Sequence, residues 1–130
     1  MELDCIGIFV NNMEKMVKFY SEIMGLKTKW NGEPNADLYP EFGTCRIIMY
    51  GRNDFEKMVS KEFNYPKGLN GTMEIAFNLK KYEDVDMEYK RLMDLGVESV
   101  FPPTTMPWGQ RTCYIADPEG NLLEMGSFGK

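Results

Sequence analysis

Apolar side chains alternate along the first ten residues and then recur at a helical spacing. Residues 3–10 place their aliphatic side chains on one face of an extended chain, which predicts a strand. The helical stripe that follows consists of Met13, Met16, Val17, Tyr20, Ile23 and Met24. Asn12 is a suitable N-cap and Gly25 follows the last turn, so the sequence predicts a helix between these two residues.

Three shorter apolar segments follow this helix, separated by the polar residues and glycines that are typical of turns. They are residues 26–30, 37–42 and 45–50. The next stretch, residues 52–70, is charged and closes with Pro66 and Gly68. We therefore place a linker there, with room for one helical turn at residues 55–59.

The same order of elements returns after the linker. Residues 72–79 predict a strand, and the amphipathic helix that follows runs to Leu95 and is ended by Gly96. Three further strands are predicted, over residues 97–100, 111–116 and 122–127. The chain is thus interpreted as one α+β domain built from two tandem βαβββ modules. The modules span residues 1–51 and 71–130, with the linker at 52–70 between them.

Overlaying the two modules matches particular positions. The shift that lays Ile8 on Phe77 also lays Cys5 on Glu74, near the start of each module. Aligned from their ends instead, the modules lay Met49 on Glu124, with Ile47 as the alternative register. Glu124 is notable because it lies inside an apolar strand, where a charge is costly unless another group pairs with it. Exposure on the outer face of the strand is the alternative explanation.

The composition of the chain limits the kinds of binding partner that we expect. The chain has 130 residues, 15 Lys plus Arg against 20 Asp plus Glu, a net charge of −5 and no basic stripe. We therefore expect no nucleic-acid partner. The amino terminus lacks the features of a signal peptide and no apolar run is long enough for a bilayer, so we expect no membrane partner. Three cysteines without metal or disulfide spacing favour the cytoplasm.

Motifs at both ends of the chain resemble those of one protein family. Near the carboxyl terminus the matching residues are Trp108, Gly109, Arg111, Asp117-Pro118-Glu119-Gly120-Asn121 and Leu123-Glu124. Near the amino terminus they are Val10-Asn11-Asn12-Met13-Glu14, Phe19-Tyr20 and Met24-Gly25-Leu26. Together they resemble the vicinal oxygen chelate superfamily, which includes glyoxalase I, bleomycin resistance proteins, fosfomycin-modifying enzymes and extradiol dioxygenases. Because this fold hosts many chemistries, the resemblance indicates the fold more than the function.

The resemblance implies a cleft between two curved mixed sheets, with metal ligands at equivalent places in each module. Those places correspond to Cys5, to Met49 or Ile47, to Glu74 and to Glu124. The chain has no histidine, although zinc and related metals favour imidazole or thiolate ligands. We therefore expect no tightly bound metal. The alternative is a divalent ion held by Glu74 and Glu124, with Cys5 as a third ligand.

Without a metal, the two glutamates acquire a different role. If Glu74 and Glu124 face one cleft, their repulsion keeps one of them protonated near neutral pH, which suits a general acid or base. Solvated or paired carboxylates would have no catalytic meaning. Trp108 is a candidate for stacking on a flat ligand, and Met49 and Cys5 for lining the cleft. Arg111 is expected either to orient an anionic group or to pair with Asp117.

Two functions follow from the resemblance. The first is a metal-independent module, similar to bleomycin resistance proteins, that binds a small molecule in an acidic and aromatic cleft. The alternative is a divalent-metal-dependent lyase or isomerase of the glyoxalase-related type, with Glu124 and Glu74 as ligand and base. Whether the protein is an enzyme is left open. An extradiol dioxygenase is disfavoured because its iron site needs two histidines. The resemblance also implies a homodimer.

Overall fold

The computed structural model describes every residue from Met1 to Lys130, and the chain divides into two compact units. The first unit comprises Met1–Tyr65 and the second Pro66–Lys130. Each unit contains its own sheet and helices, and the predicted α+β class with two tandem modules is confirmed. No helix in either unit has the length and apolar character needed to cross a membrane.

The first unit is built on a three-stranded sheet. Its elements are β1 (Cys5–Val10), α1 (Met13–Lys18, continued by a π-helical turn at Phe19–Ile23), β2 (Asn35–Leu38), β3 (Arg46–Gly51) and α2 (Arg52–Val59). The strand order is β1-β3-β2, with β1 parallel and β2 antiparallel to the central strand β3. A parallel pair needs a crossover between its strands, and α1 begins that crossover.

Helix α1 begins and packs as its sequence predicts. The Asn12 side-chain oxygen accepts a hydrogen bond from the Lys15 N–H at 3.1 Å, which satisfies one of the unpaired amides of the first turn. Half of the apolar stripe of the helix is buried together with the inward side chains of all three strands, and the other half is partly exposed. The fully buried members of this core include Val10, Met16, Tyr20, Leu38 and Met49.

Two predicted features of the first unit are wrong. Residues 26–30 do not form a strand, since only Lys27 pairs with Tyr39 across an isolated bridge. Beyond that bridge Trp30 is drawn into a local turn by hydrogen bonds to Thr28 and Glu33, which compete with strand pairing. In addition, the predicted linker begins with the two-turn helix α2 rather than a single helical turn.

The second unit contains the complete βαβββ order. Its elements are β4 (Asn70–Asn78), α3 (Tyr82–Asp94), β5 (Glu98–Thr105), β6 (Arg111–Ala116) and β7 (Asn121–Ser127). The strand order is β4-β7-β6-β5, with β4 parallel to β7 and the other pairs antiparallel. The turn between β6 and β7 depends on Gly120, whose φ of 87° is costly for other residues.

One face of this second sheet forms the core with α3. Val85 and Leu92 of α3 are fully buried, as are side chains of β6 and β7. Those strand residues are Cys113, Ile115, Leu123 and Met125. Because successive side chains of a strand point to opposite faces, the residues between them lie on the face away from α3. That second face carries Thr112, Tyr114 and Glu124.

Candidate ligand site on the second sheet

Glu124 lies in the middle of the second sheet. Its strand, β7, runs between β4 and β6, and Glu124 pairs with Ala76 on one side and Tyr114 on the other. The residue is only 8% exposed. Its neighbours Leu123 and Met125 occupy the core, so the carboxylate points to the opposite face of the sheet. We call the group Glu74, Gln110, Thr112, Tyr114 and Glu124 the carboxylate face.

Two side chains donate hydrogen bonds to the same oxygen of Glu124. The Thr112 hydroxyl donates to Oε1 at 2.7 Å, and the Gln110 amide nitrogen donates to Oε1 at 2.9 Å. Gln110 is itself held, because its amide oxygen accepts a hydrogen bond from the Trp108 indole N–H at 3.0 Å. These donors offset the free-energy cost of burying a carboxylate and fix its orientation.

The absence of a side chain at Gly126 makes room for this arrangement. A Cβ atom at that position would lie 2.5 Å from the Gln110 amide nitrogen and 3.2 Å from Glu124 Oε1. A 2.5 Å approach is well inside van der Waals contact. Gly126 therefore lets the amide of Gln110 lie directly above β7, within hydrogen-bonding distance of Glu124.

Glu74 and Tyr114 complete the carboxylate face. Partial burial is the main cause that raises the pKa of Glu74, and the nearby Glu124 carboxylate raises it further. A hydrogen bond from the Tyr114 hydroxyl opposes this effect. Burial, followed by the hydrogen bond to Glu74, raises the pKa of Tyr114 to about 12, so the phenol stays protonated and remains a donor. The face thus combines two carboxyl groups with hydroxyl and amide donors.

The prediction that Met49 lines the ligand cleft is wrong. In the first unit Cys5 pairs with Arg46, whereas Met49 pairs with Ile8 and is 1% exposed within the core. Met49 and Cys5 therefore lie on opposite faces of their sheet, and Met49 lines no ligand surface. A register error of one residue moves a side chain to the opposite face of the sheet, because side chains alternate between the two faces along a strand.

The strand pairing identifies the true counterpart of Glu124. Glu74 pairs with Leu122 and, two residues on, Ala76 pairs with Glu124. In the first unit Cys5 pairs with Arg46 and, two residues on, Gly7 pairs with Ile48. The residue equivalent to Glu124 is thus Ile48, which lies between the two predicted alternatives, Met49 and Ile47. Cys5 does correspond to Glu74, and it is half-buried on β1.

Arg111 lies on the face of the second sheet opposite Glu124. Its guanidinium pairs with Asp86 of α3 through bonds of 2.5 to 3.1 Å and also donates to the Thr105 hydroxyl. The predicted pairing with Asp117 is wrong, because the Asp117 carboxylate accepts hydrogen bonds from residues of its own turn. The partners of Arg111 give it a structural role in holding α3 on the sheet.

Trp108 is the most exposed residue connected to the carboxylate face. It lies on the turn between β5 and β6, 62% of it is exposed, and its indole N–H is bonded to Gln110. A large aromatic ring that is exposed but held by a hydrogen bond is suited to stacking on a flat ligand. Gln110, Thr112 and Tyr114 were not predicted as site residues. The alternation in residues 111–116 does, however, place Thr112 and Tyr114 on the same face of the strand.

The available donors do not fit a tightly held metal. In the second unit, Glu74 and Glu124 belong to no group of three or more His, Cys, Asp or Glu side chains that is placed to hold an ion. The chain has no histidine. One oxygen of Glu124 already accepts two hydrogen bonds from neighbouring side chains. Such a set of ligands lacks the three soft or imidazole donors that catalytic zinc sites use.

Comparison with known proteins places the chain in a family. The model of the glyoxalase/bleomycin resistance protein/dioxygenase superfamily matches residues 2–125, and the chain belongs to this superfamily. The uncharacterized protein YraH of Bacillus subtilis (strain 168) is 32% identical over 128 residues, which cover 96% of this chain and 97% of YraH.

Solved structures agree on the fold. A glyoxalase/bleomycin resistance protein/dioxygenase from Nocardioides matches with a TM-score of 0.82 at 21% identity, covering 100% of this chain and 85% of its own. A lactoylglutathione lyase from Agrobacterium tumefaciens matches with a TM-score of 0.74 at 16% identity, covering 97% of this chain and 92% of its own. At these identities the likeness extends to the fold alone.

Proposed function

We propose that this protein binds a small molecule at the carboxylate face of its second sheet without a tightly bound metal. The observation that carries the proposal is the buried Glu124 carboxylate, held in one orientation by Thr112 and Gln110. A buried, oriented acceptor favours a ligand that brings a hydrogen-bond donor or a positive charge. The exposed ring of Trp108 nearby favours a ligand with a flat ring.

The cellular setting belongs to the same proposal. Cys5, Cys45 and Cys113 are all free thiols, which is compatible with a reducing cytoplasm. The family resemblance favours a homodimer, and light scattering would test that assembly. Neither point alters the ligand chemistry, which depends on Glu124 and its donors.

Binding of aromatic amines tests the proposal directly. Calorimetry with tryptamine in the presence of EDTA should show saturable binding that an excess of the matched anion indole-3-propionate does not displace. Glu124→Gln removes the charge but keeps a similar shape, and should weaken tryptamine binding at least tenfold. Glu83→Gln, an exposed change on α3, serves as the control. Binding that EDTA abolishes, or that Glu124→Gln leaves unchanged, would overturn the proposal.

The second candidate is a divalent-metal-dependent lyase or isomerase of the glyoxalase-related type, with Glu124 and Glu74 as ligand and base. It is favoured by the raised pKa of Glu74, which brings a carboxyl group closer to proton transfer at neutral pH. The matching structure named lactoylglutathione lyase adds only that this fold occurs in such an enzyme.

This second function makes its own prediction. Purified protein should contain a stoichiometric divalent ion by elemental analysis, and it should exchange a proton next to a substrate carbonyl in deuterated solvent. Glu124→Gln and Glu74→Gln should each abolish that exchange. Metal-free protein that binds tryptamine unchanged and exchanges no proton would favour the binding function instead.

A further inference from the structure

A cavity of about 690 Å³ opens beside strand β2 in the first unit. Its walls come from residues 27–30 on one side and from β2 and Tyr39 on the other. This volume lies within the range of small-molecule pockets, about 300–1,000 Å³. All the residues that line the cavity belong to the first unit, and none of them is part of the carboxylate face.

The cavity exists because a strand pairing stops early. Lys27 and Tyr39 exchange two backbone hydrogen bonds of 2.8 Å each. The chain then departs from β2, since the Thr28 hydroxyl accepts the Trp30 backbone N–H at 3.2 Å. The backbone groups of Tyr39 point away from β3, towards Lys27. Because backbone groups alternate in direction along a strand, those of Asp37 point the same way, into the cavity. The edge of the cavity thus carries backbone donors and acceptors.

Two aromatic rings line the cavity. The Trp30 indole N–H donates to the Glu33 carbonyl oxygen at 2.6 Å, which holds the ring in place. Tyr39 is 48% exposed, so much of its ring is open to solvent. A held indole and an open phenol supply apolar surface suited to the faces and edges of a planar molecule.

The two carboxylates and the two lysines that line the cavity differ in their partners. The Asp37 carboxylate pairs with Arg46 at 2.7 Å. The Glu33 carboxylate accepts the Asn31 N–H at 2.7 Å, and this backbone hydrogen bond lowers its pKa. Neither Lys27 nor Lys29, in contrast, has an ion-pair partner. Lys27 and Lys29 therefore line this cavity without ion pairs, while both of its carboxylates already accept hydrogen bonds.

From these contacts we infer that the cavity beside β2 is a second binding site, and that its ligand is a planar aromatic carboxylate. The ring packs on Trp30 and Tyr39, and the carboxylate pairs with Lys27 and Lys29. This ligand has the opposite charge to the one proposed for the carboxylate face. The inference rests on different residues from the proposed function, in the other unit.

Binding of 2-naphthoate tests this inference. Trp30 and Trp108 are the two tryptophans of the chain, so in a Trp108→Phe background Trp30 alone reports the site. Titration with 2-naphthoate should change Trp30 fluorescence saturably, with one ligand bound per chain. The neutral isostere 2-acetylnaphthalene should bind about tenfold more weakly, because it cannot pair with the ammonium groups.

Matched lysine variants separate a specific site from general charge. The double variant Lys27→Gln/Lys29→Gln should weaken 2-naphthoate binding about tenfold, whereas Lys15→Gln/Lys18→Gln, on the exposed side of α1, should leave it unchanged. Equal loss in both double variants, equal affinity for the neutral isostere, or an unsaturable fluorescence change would each overturn the inference. The tryptamine result depends on Glu124, so the two proposals can fail separately.

Discussion

The two units share a strand arrangement but differ in the residues at equivalent positions. In the second unit, Glu74, Ala76 and Glu124 share the face of the sheet that lies away from α3. The matching residues of the first unit are Cys5, Gly7 and Ile48. There the Ile48 side chain lies close to Gly7, and a Cβ atom at Gly7 would approach it to 3.2 Å. An aliphatic contact thus replaces the carboxylate.

An aromatic cluster marks the same face of the first sheet. The ring of Phe9 stacks on Phe55 with centroids 4.1 Å apart, and Phe63 stacks on Phe55 at 5.5 Å. Tyr50, also on this face, meets Phe55 edge-on at 6.4 Å. Strand pairing therefore specifies equivalent places without specifying their chemistry. The carboxylates depend on the donors around them, and those donors occur in the second unit.

Thiol reactivity should show the largest difference between the units. Cys113 is fully buried in the second unit, and burial raises its pKa to about 12 from an ordinary value of 9.0, whereas Cys45 in the first unit is exposed. The raised pKa and the burial of Cys113 together predict a slow reaction at this thiol. A timed iodoacetamide pulse with peptide mass spectrometry measures both rates.

The control for this experiment is the unfolded chain, in which Cys45 and Cys113 should react at similar rates. If Cys113 reacts as fast as Cys45 in the native protein, then the second core does not exclude the reagent as the structure indicates.

Removing a donor to Glu124 should have the next largest effect. Thr112→Val deletes the hydroxyl and leaves a buried carboxylate with one fewer partner, which should lower the free energy of unfolding by about 1–3 kcal/mol. Thr112→Ser keeps the donor and should cost less. The position that corresponds to Thr112 in the first unit is the exposed Asn35, where Asn35→Val should change stability by about 0.5 kcal/mol or less.

Urea denaturation of these variants compares the two sheets. Equal losses of unfolding free energy for Thr112→Val and Asn35→Val would show that the hydrogen bond from the Thr112 hydroxyl to Glu124 makes no particular contribution to stability. A loss confined to Thr112→Val would show that the second unit depends on its polar network.

Replacing Glu74 should have the smallest effect on stability, and that effect should depend on pH. A pKa raised in the folded state means that ionisation of Glu74 destabilises the fold, so its favourable contribution is present at low pH and is lost as the pH rises. Glu74→Gln should therefore match the wild-type Tm below the ordinary glutamate pKa of about 4.3 and exceed it slightly at neutral pH.

Thermal unfolding across this pH range measures the effect, with Glu62→Gln on the exposed surface of the first unit as the control. A Tm difference for Glu74→Gln that stays constant with pH would contradict the shifted pKa. A difference of the opposite sign would mean that Glu74 is held as a carboxylate.

Local sequence signals predicted the elements well. Asn12 caps α1, and Gly25 follows that helix with a φ of 81°, as a residue past a helix end often does. Gly120 likewise adopts the positive φ expected of its turn. These signals depend on a few neighbouring residues, so they can be recognised in one sequence. They predicted the order of strands and helices in the second unit and, with the end motifs, the family, but in the first unit they also predicted a strand at residues 26–30 that does not form.

Register and side-chain partners could not be predicted in the same way. The match of Ile48 to Glu124 depends on how β3 aligns beside β1, two strands that are distant in the sequence. Arg111 pairs with Asp86 because α3 lies over its face of the sheet, which strand alternation alone does not reveal. Gln110 reaches Glu124 only because Gly126 leaves room.

Gly126 offers a point of control that involves no charged residue. Adding a single methyl group there would push the Gln110 amide aside and release one of the two bonds that orient Glu124. A protein engineer could therefore loosen this carboxylate while retaining every group that gives the face its chemistry. The orientation of Glu124 could then be varied without replacing any side chain of the carboxylate face.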